Sequence, residues 1–247
     1  INFEARKFMK RQNFQGDKKS LFTAASILIG TVIGAGFLGI PSVVSKSGFA
    51  IGVFYLLFIF LIMLTMNLLL GEIILRTKGH HQLTGYAYKY LGRKGRKIMA
   101  LSQTFGIYAV LLAYLIVIST SLNFLIMGKT EYSFAFGFAM WILFSFIVSF
   151  RINSIRKSLG YGTVIILLLI FVITFIKFPQ INYENFKGFN LSNLFLPFGV
   201  ILFSFLGFSA MPEIEEYLHG KERFLKKALI IGTSVPLLVY LIFTFLI

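Results

Sequence analysis

The sequence predicts an all-α polytopic membrane protein. Its 247 residues are 57% hydrophobic, only 13% of them are charged, and the mean hydropathy is +0.83. The charged residues fall almost entirely between long apolar runs, a pattern that soluble domains of this size do not have. Such runs cross a bilayer as helices, because a helix satisfies its own backbone hydrogen bonds in hydrocarbon.

Seven apolar segments are long enough to be membrane spans. They are Ser20–Val44, Phe49–Leu75, Ile98–Met127, Tyr132–Phe150, Leu159–Ile176, Leu194–Tyr217 and Leu225–Ile247. The chain begins at Ile1 and stops at Ile247 inside an apolar run. We therefore expect both ends to be cut and the structure to be truncated after the seventh helix.

Lysine and arginine are unevenly distributed among the loops. Twenty of the 24 lie in the N-terminal segment and in the loops after spans two, four and six, and four lie in the other loops. By the positive-inside rule, the N-terminus is cytoplasmic and the chain is a multi-pass protein of the cytoplasmic membrane. The net charge of +15 is thus an orientation signal and does not predict nucleic-acid binding.

The first span contains a glycine-rich interruption. Its small and helix-breaking residues are Gly30, Gly34, Gly36, Gly39 and Pro41. Each glycine costs a helix interior about 1 kcal/mol relative to alanine. We expect the N–H groups of Gly34, Ala35 and Gly36 to bind a carboxylate, helped by the half-helix dipole, and Pro41 to end the helix. The alternative is close helix packing through Gly30 and Gly34.

The sixth span contains a second interruption, near Phe205–Ser209. Gly207 lies within it and Pro212 follows, where it would forfeit a helical hydrogen bond. The two interrupted spans are five spans apart, so they run antiparallel across the membrane. An inverted five-plus-five repeat requires this relationship, and paired interruptions of this kind mark the binding sites of secondary transporters.

The motif Gly30-Thr-Val-Ile-Gly-Ala-Gly-Phe-Leu-Gly-Ile-Pro41, with Ser47-Gly48-Phe49 after it, resembles the first-helix signature of amino-acid permeases. The segments Gly71–Arg76 and Phe205–Pro212 resemble the same group. The similarity is to the amino acid/auxin permease and aromatic amino acid permease branches of the amino acid–polyamine–organocation superfamily. It implies a leucine-transporter-like inverted-repeat fold of ten or more helices, of which this chain has seven.

The resemblance also implies a domain organisation. Residues 1–19 form a cytoplasmic segment, 20–177 the first five-helix repeat, 178–193 an extracellular loop, and 194–247 the first two helices of the second repeat.

The resemblance further implies a substrate site at the two interruptions. Gly34, Ala35 and Gly36 hold the substrate carboxylate, and the ammonium group binds carbonyls of the second break. Those carbonyls belong to Phe205, Leu206 and Gly207, and candidate polar contacts come from Thr31, Ser204 and Ser209. Tyr108 and Tyr114 in the third span could face the site, and simple aromatic packing is the alternative for both.

Two glutamates are candidates for coupling transport to H⁺ or Na⁺. Glu72 lies near the cytoplasmic end of the second span, where the alternative is an i,i+4 ion pair with Arg76. Glu213 follows the second break, and the alternative there is a solvated helix end, with Glu215 and Glu216, facing the basic stretch Lys221–Lys227.

Enzymatic and metal-binding functions find no support in the sequence. Cysteine is absent, and His80, His81 and His219 lack metal-ligand spacing. No catalytic triad, phosphate-binding loop or dinucleotide fingerprint is present. We therefore expect no enzyme, no metal and no cofactor other than the coupling ion.

The sequence favours a secondary active permease that imports amino acids by alternating access, with aromatic amino acids as candidate substrates. A site of backbone dipoles and hydroxyls without a central charge suits a zwitterion. One alternative is a non-transporting amino-acid sensor or degenerate transporter fragment. Another is a divalent-metal transporter of the same fold, which Ala210-Met211-Pro212 faintly resembles, but the first span supplies no acid. The expected partners are an amino acid and the lipid bilayer.

Overall fold

A computed structural model describes the backbone of residues 3–34, 36–149, 155–180 and 188–245, and side chains from residue 17 onward in most of these ranges. The described residues are helical, without strands. They form α1 (Phe3–Val32), α2 (Gly36–Ser47), α3 (Phe49–Arg76), α4 (Leu83–Met127), α5 (Ser133–Ser149), α6 (Ile155–Lys177), α7 (Leu196–Ser204), α8 (Met211–Tyr217) and α9 (Leu225–Thr244). Single 3₁₀ turns lie at Phe178–Gln180, Leu191–Asn193, Phe208–Ala210 and Glu222–Phe224.

Within the described ranges, four helical segments are long and apolar enough to cross a membrane. They are Phe49–Arg76, Leu83–Met127, Leu196–Tyr217 and Glu222–Thr244. The bent pair Asp17–Val32 and Gly36–Ser47 makes a fifth if it is one span. The other two predicted spans correspond to shorter apolar helices, Ser133–Ser149 and Leu167–Lys177. The architecture is consistent with a polytopic membrane protein, with up to five full-length spans among the seven predicted.

Two helix boundaries differ from the prediction. α1 begins at Phe3, so helix extends well before the apolar run that starts at Ser20. The expectation that Pro41 ends a helix is wrong, because Pro41 lies inside α2, which continues to Ser47. Proline removes one backbone donor, but its fixed φ is compatible with a helix, so α2 loses one hydrogen bond and persists.

The chain divides into two compact units, Ile1–Leu83 with Leu159–Ile247, and Thr84–Ser158. In the first unit, α9 packs against α1 and α3, and α2 packs against α7. α1 and α9 approach each other closely at Leu28 and Gly232, where a Cβ added to Gly232 would lie 2.7 Å from the Leu28 side chain. Leu28 is fully buried, so this crossing is part of the core of the unit.

The second unit contains α5 and most of α4. A hydrogen bond of 3.2 Å from Asn123 Nδ2 to Ser133 Oγ links the end of α4 to the start of α5. Large apolar side chains such as Phe105, Phe134 and Trp141 are exposed on this unit. Exposed apolar surface of this extent marks a membrane or protein interaction site in folded proteins, and here it fits contact with lipid.

Candidate functional site

The first predicted break is present. α1 ends at Val32 and α2 begins at Gly36, and the two helix axes differ by 54°. The N–H of Ile33 still donates to Ile29 O at 2.8 Å, whereas the N–H of Gly34 donates to Val32 O at 2.9 Å, which is a local turn. The helical ladder therefore stops at the predicted glycines. Ala35 lies outside the described residues.

The second predicted break is also present. α7 ends at Ser204, Phe205–Gly207 is non-helical, and a 3₁₀ turn leads into α8 at Met211. Pro212 has a different role from the one expected. It lies in the first turn of α8, where its missing N–H would have no helical acceptor in any case. Gly207, and not Pro212, thus lies within the interruption.

The two breaks are in direct contact. A Cβ atom added to Gly36 would lie 2.7 Å from Ser204 Oγ and 3.0 Å from Ser204 Cα. A Cβ atom added to Gly207 would lie 2.4 Å from a methyl group of Val32 and 2.9 Å from one of Leu28. The start of α2 therefore packs on the end of α7, and the end of α1 packs on the second break. A side chain at residue 36 would meet the Ser204 backbone, and one at residue 207 would require the Val32 and Leu28 side chains to move.

This packing brings helix ends of opposite polarity together. The first N–H groups of α2 have no intrahelical acceptor, and the last carbonyls of α1 and α7 have no intrahelical donor. The N-terminus of a helix carries a partial positive charge and the C-terminus a partial negative charge. The junction formed by Val32–Gly36 and Ser204–Gly207 thus offers both polarities, and none of its described residues carries a charged side chain.

Tyr240 connects the two breaks. Its hydroxyl oxygen lies 3.0 Å from Val32 O and 2.8 Å from Ser204 O, the final carbonyls of α1 and α7. The side chain is fully buried on α9 and packs edge-on against Phe205, with ring centroids 5.1 Å apart. Tyr240 is not among the residues predicted from the sequence. The available signal was a tyrosine in an apolar span, since a buried phenolic hydroxyl needs a hydrogen-bond partner.

The predicted ammonium-binding segment is partly engaged by its own turn. Gly207 O accepts a hydrogen bond from Ala210 N at 3.1 Å. From the described residues, no backbone N–H donates to the carbonyls of Phe205 or Leu206. Two of the three predicted acceptors therefore have no backbone donor among the described residues; Phe205 is fully buried and Leu206 is partly exposed.

The predicted hydroxyl contacts all lie in or beside the breaks, but two of them point outward. Thr31 is exposed and donates to Ile27 O at 2.8 Å, and Ser209 is exposed. Ser204 is buried and donates to Val200 O at 2.7 Å, while its Oγ contacts Gly36. Of the three, only Ser204 is part of the junction.

The predicted tyrosines of the third span belong to the other unit. Tyr108 on α4 is 69% exposed, and Tyr114 is 37% exposed. Their contribution to the site stays a prediction.

The two candidate coupling residues are exposed. Glu72 forms the alternative i,i+4 ion pair with Arg76, at 2.5 Å, and this pair lies at the end of α3. Glu213 lies in the first turn of α8, directly after the second break. A coupling role for either residue stays a prediction.

Two polar contacts between distant parts of the chain were not predicted. Asn67 on α3 donates to Thr233 Oγ1 on α9 at 3.2 Å, and both side chains are fully buried. The signal was a single amide within an apolar span. His80 contacts Glu215 at 3.2 Å, and its ring centroid lies 4.9 Å from that of His219 with the rings tilted by 44°. These three side chains line a pocket of about 290 Å³. Among the described residues, no three such groups are placed to hold a metal ion.

Comparison with known proteins finds similarity to amino-acid transport proteins. Similarity is found to Tyrosine-specific transport systems 2 and 1 of Haemophilus influenzae, with 26% identity over 91% of this chain and 23% over 87%. Glutamine transporter 2 of Aliivibrio fischeri is 26% identical over 91% of the chain. The chain covers 57%, 54% and 60% of these relatives' own lengths. No solved structure matches it.

The family profile described as the tryptophan/tyrosine permease family matches residues 17–247, which include both helix breaks and Tyr240. A permease family has no enzymatic activity, in agreement with the predicted absence of a catalytic site. With nearly the whole sequence inside that match, the chain belongs to the tryptophan/tyrosine permease family.

Proposed function

We propose that this chain forms the substrate-binding part of a secondary active permease that imports amino acids across the cytoplasmic membrane. The observation that carries the proposal is the contact of Gly36 with Ser204, which joins the positive end of α2 to the negative end of α7 in an uncharged junction. A zwitterion needs both polarities within a few ångströms. A metal ion or a polyamine would need buried acids, which the described junction does not contain.

Each half of the zwitterion has a matching partner. The substrate carboxylate binds at the first turn of α2, with the Gly36 N–H as one donor, because the Gly34 N–H donates to Val32 O in this structure. The ammonium group binds the carbonyls of Phe205 and Leu206. This assignment keeps the predicted orientation of the substrate and shifts the carboxylate toward Gly36, with Ala35 as a further candidate.

The names of the relatives suggest which amino-acid side chains to test. Two are tyrosine-specific systems and one is a glutamine transporter. We take tyrosine as the first candidate substrate and glutamine as the second. The aromatic amino acid permease branch of the amino acid–polyamine–organocation superfamily fits the first choice.

The transport mechanism is proposed on the same basis. Two broken helices that are predicted to run antiparallel fit an inverted-repeat fold of the leucine-transporter type, in which one repeat moves against the other to expose the site alternately to each side. The excess of lysine and arginine in alternate loops supports a cytoplasmic N-terminus. For coupling to protons, Glu213 is the better candidate, because Glu72 is engaged with Arg76.

Uptake by proteoliposomes tests the proposal. Vesicles containing the protein are supplied with labelled tyrosine or glutamine under a proton gradient, a sodium gradient or neither, and vesicles with the Gly36→Leu variant are the control. We expect accumulation of one amino acid under one gradient, and none in the control. The proposal is contradicted if the protein is folded but binds neither amino acid and its vesicles accumulate neither. Binding of an amino acid without its accumulation in the vesicles indicates the sensor alternative.

A further inference from the structure

A strongly basic segment lies at the start of the membrane helix in α4. Residues 89–97 contain five cationic side chains and no acid; they are Lys89, Arg93, Lys94, Arg96 and Lys97. All five are exposed. Among the described residues, no carboxylate lies within ion-pair distance of any of them. The proposed substrate junction contains none of these cations.

The backbone of this segment forms a tight corner. Gly92 has φ +68° and ψ −162°, so α4 consists of two helices that meet at this residue. Gly95 completes the corner, because an added Cβ would lie 2.3 Å from Leu91 Cβ and 3.1 Å from Ala87 O. A left-handed φ and a contact of this kind both require glycine. The geometry is therefore specified by the sequence and does not depend on the charged side chains.

The corner forms a basic cavity with an aromatic wall. Its volume is about 470 Å³, and it is lined by Tyr88, Arg93, Arg96, Lys97 and Ala100. The guanidinium of Arg96 lies over the Tyr88 ring, 5.9 Å from the centroid, which orients that cation. The arginine guanidinium donates two parallel hydrogen bonds to a phosphate, and the lysine ammonium adds a compact positive charge. Three cations around one cavity thus suit a phosphate group.

The cavity lies next to the surface that contacts lipid. Ile98, Leu101 and Phe105 follow the basic residues on α4, and each is more than half exposed. A lipid headgroup in the cavity would place its acyl chains along these side chains. Clusters of four to eight lysines and arginines immediately beside a membrane helix are the usual recognition element for anionic headgroups.

We propose that the corner at Gly92 is a binding site for the phosphate of an anionic phospholipid. Arg93, Arg96 and Lys97 bind the phosphate oxygens, Tyr88 holds Arg96 in place, and the apolar start of the membrane helix contacts the acyl chains. Lys89 and Lys94 raise the local positive potential. None of these residues belongs to the substrate junction, and the site does not depend on which amino acid is transported.

Native mass spectrometry of the protein purified in detergent tests this site. The protein is mixed with equal amounts of phosphatidylglycerol and phosphatidylcholine that have the same acyl chains, and the ratio of the two adducts is measured. We expect a preference of at least about fivefold for phosphatidylglycerol, because only that lipid has a net negative headgroup. A triple variant, Arg93→Gln, Arg96→Gln and Lys97→Gln, is expected to show no preference.

A matched variant separates a site from net charge. The triple variant Lys78→Gln, Lys226→Gln and Lys227→Gln removes an equal number of positive charges from exposed positions elsewhere in predicted cytoplasmic loops. This variant is expected to keep the full preference for phosphatidylglycerol. Gly95→Leu keeps all charges but cannot form the corner, and it is expected to lose most of the preference. Thermal unfolding confirms that each variant is folded. If Gly95→Leu does not fold, the Arg93, Arg96 and Lys97 triple variant and its matched control decide the result.

Three results would overturn the proposal. The first is an unchanged preference in the folded Arg93, Arg96 and Lys97 variant. The second is an equal loss in the matched lysine variant, which would indicate a diffuse charge effect. The third is displacement of phosphatidylglycerol by an equal concentration of inorganic phosphate, which would make a soluble anion the ligand.

Discussion

The hydroxyl of Tyr240 lies 2.8 Å from the carbonyl oxygen of Ser204, the last residue of α7. The same hydroxyl lies 3.0 Å from Val32 O at the end of α1. A phenol has one hydrogen to donate, so the two carbonyls share it or alternate. The negative ends of two half-helices are thus held together by a neutral donor on α9, and the spacing of the two breaks depends on this residue.

Replacing Tyr240 by phenylalanine tests this role. The ring and its contact with Phe205 remain, but the buried Ser204 carbonyl loses its donor, which costs about 1–3 kcal/mol for an unsatisfied buried group. We expect lower thermal stability in detergent and slower uptake. Tyr132→Phe, at an exposed tyrosine in the turn before α5, is the control and should change neither. Equal stability of the two variants would show that the hydroxyl does not link the breaks.

The contact between Gly36 and Ser204 predicts that even a methyl group at residue 36 impairs transport. Its Cβ would lie 2.7 Å from Ser204 Oγ and 3.0 Å from the Ser204 Cα, and the backbone atom cannot move away as a side chain can. We expect Gly36→Ala to reduce the uptake rate at least about tenfold, because small displacements at a binding site have effects of this size. Gly36→Leu should abolish uptake while the protein still inserts into the membrane.

Gly199→Ala is the matched control for this prediction. It lies on α7, five residues before Ser204, and an added Cβ would meet no atom within 4 Å. Alanine has the higher helix propensity, so uptake should be unchanged and stability equal or slightly greater. If Gly36→Ala behaves like Gly199→Ala, the two breaks are not packed as described.

The positions of the breaks could be predicted from the sequence, but the contacts between them could not. Glycine is unfavourable inside a helix, so Gly34, Gly36 and Gly207 within apolar runs indicated where the helices are interrupted. Pro212 was misjudged because proline is unfavourable inside a helix and favourable in its first turn, and the sequence alone does not say which applies. The Tyr240 hydroxyl contacts Ser204, which is 36 positions away in the sequence, and Val32, which is 208 positions away. No local sequence pattern encodes contacts over such separations.

Span number was harder to predict than break position. α5 has 17 residues. An apolar helix of this length is compatible with a short membrane span and also with a helix that is buried in protein without crossing the membrane. The pair of Glu72 with Arg76, by contrast, was predictable because an i,i+4 spacing places two side chains on one helix face. Local periodicity therefore predicted contacts within helices, and contacts between helices required the structure.

The buried contact between Asn67 and Thr233 predicts a distinctive double-mutant cycle. Asn67 Nδ2 donates to Thr233 Oγ1, but no described group hydrogen-bonds to the buried Asn67 Oδ1. Removing Thr233 Oγ1 alone, as Thr233→Val, leaves the amide without a partner and should destabilise the protein. Adding Asn67→Leu should recover most of the loss, because replacing both partners by apolar groups of similar shape is nearly neutral.

Thermal unfolding of the four proteins in detergent measures this cycle. Polar contacts between membrane helices average about 0.6 kcal/mol and reach about 1.7 kcal/mol, so the coupling should fall in that range. A double variant less stable than Thr233→Val would show that Asn67 has another essential partner, with its Oδ1 as the group concerned.

Asp17, in the middle of α1, connects that helix to the segment before α9. Its carboxylate accepts a hydrogen bond from the Arg223 guanidinium and lies 3.9 Å from Lys221 Nζ, and Lys221 also donates to Ser20 at 2.9 Å. Arg223 is 70% exposed, so solvent screens much of the attraction. We expect Asp17→Asn to lower stability by no more than about 1 kcal/mol at low salt.

The salt dependence distinguishes this ion pair from a purely steric contact. The Debye length falls from about 10 Å at 0.1 M salt to about 3 Å at 1 M, so the stability difference between wild type and Asp17→Asn should shrink as salt rises. Thermal unfolding at both salt concentrations measures this difference. Glu131→Gln, an exposed acid in the turn before α5, is the control and should show almost no difference at either. A difference for Asp17→Asn that persists at 1 M salt would mean that Asp17 acts through packing or a neutral hydrogen bond, and the link between α1 and the segment before α9 would then be insensitive to ionic strength.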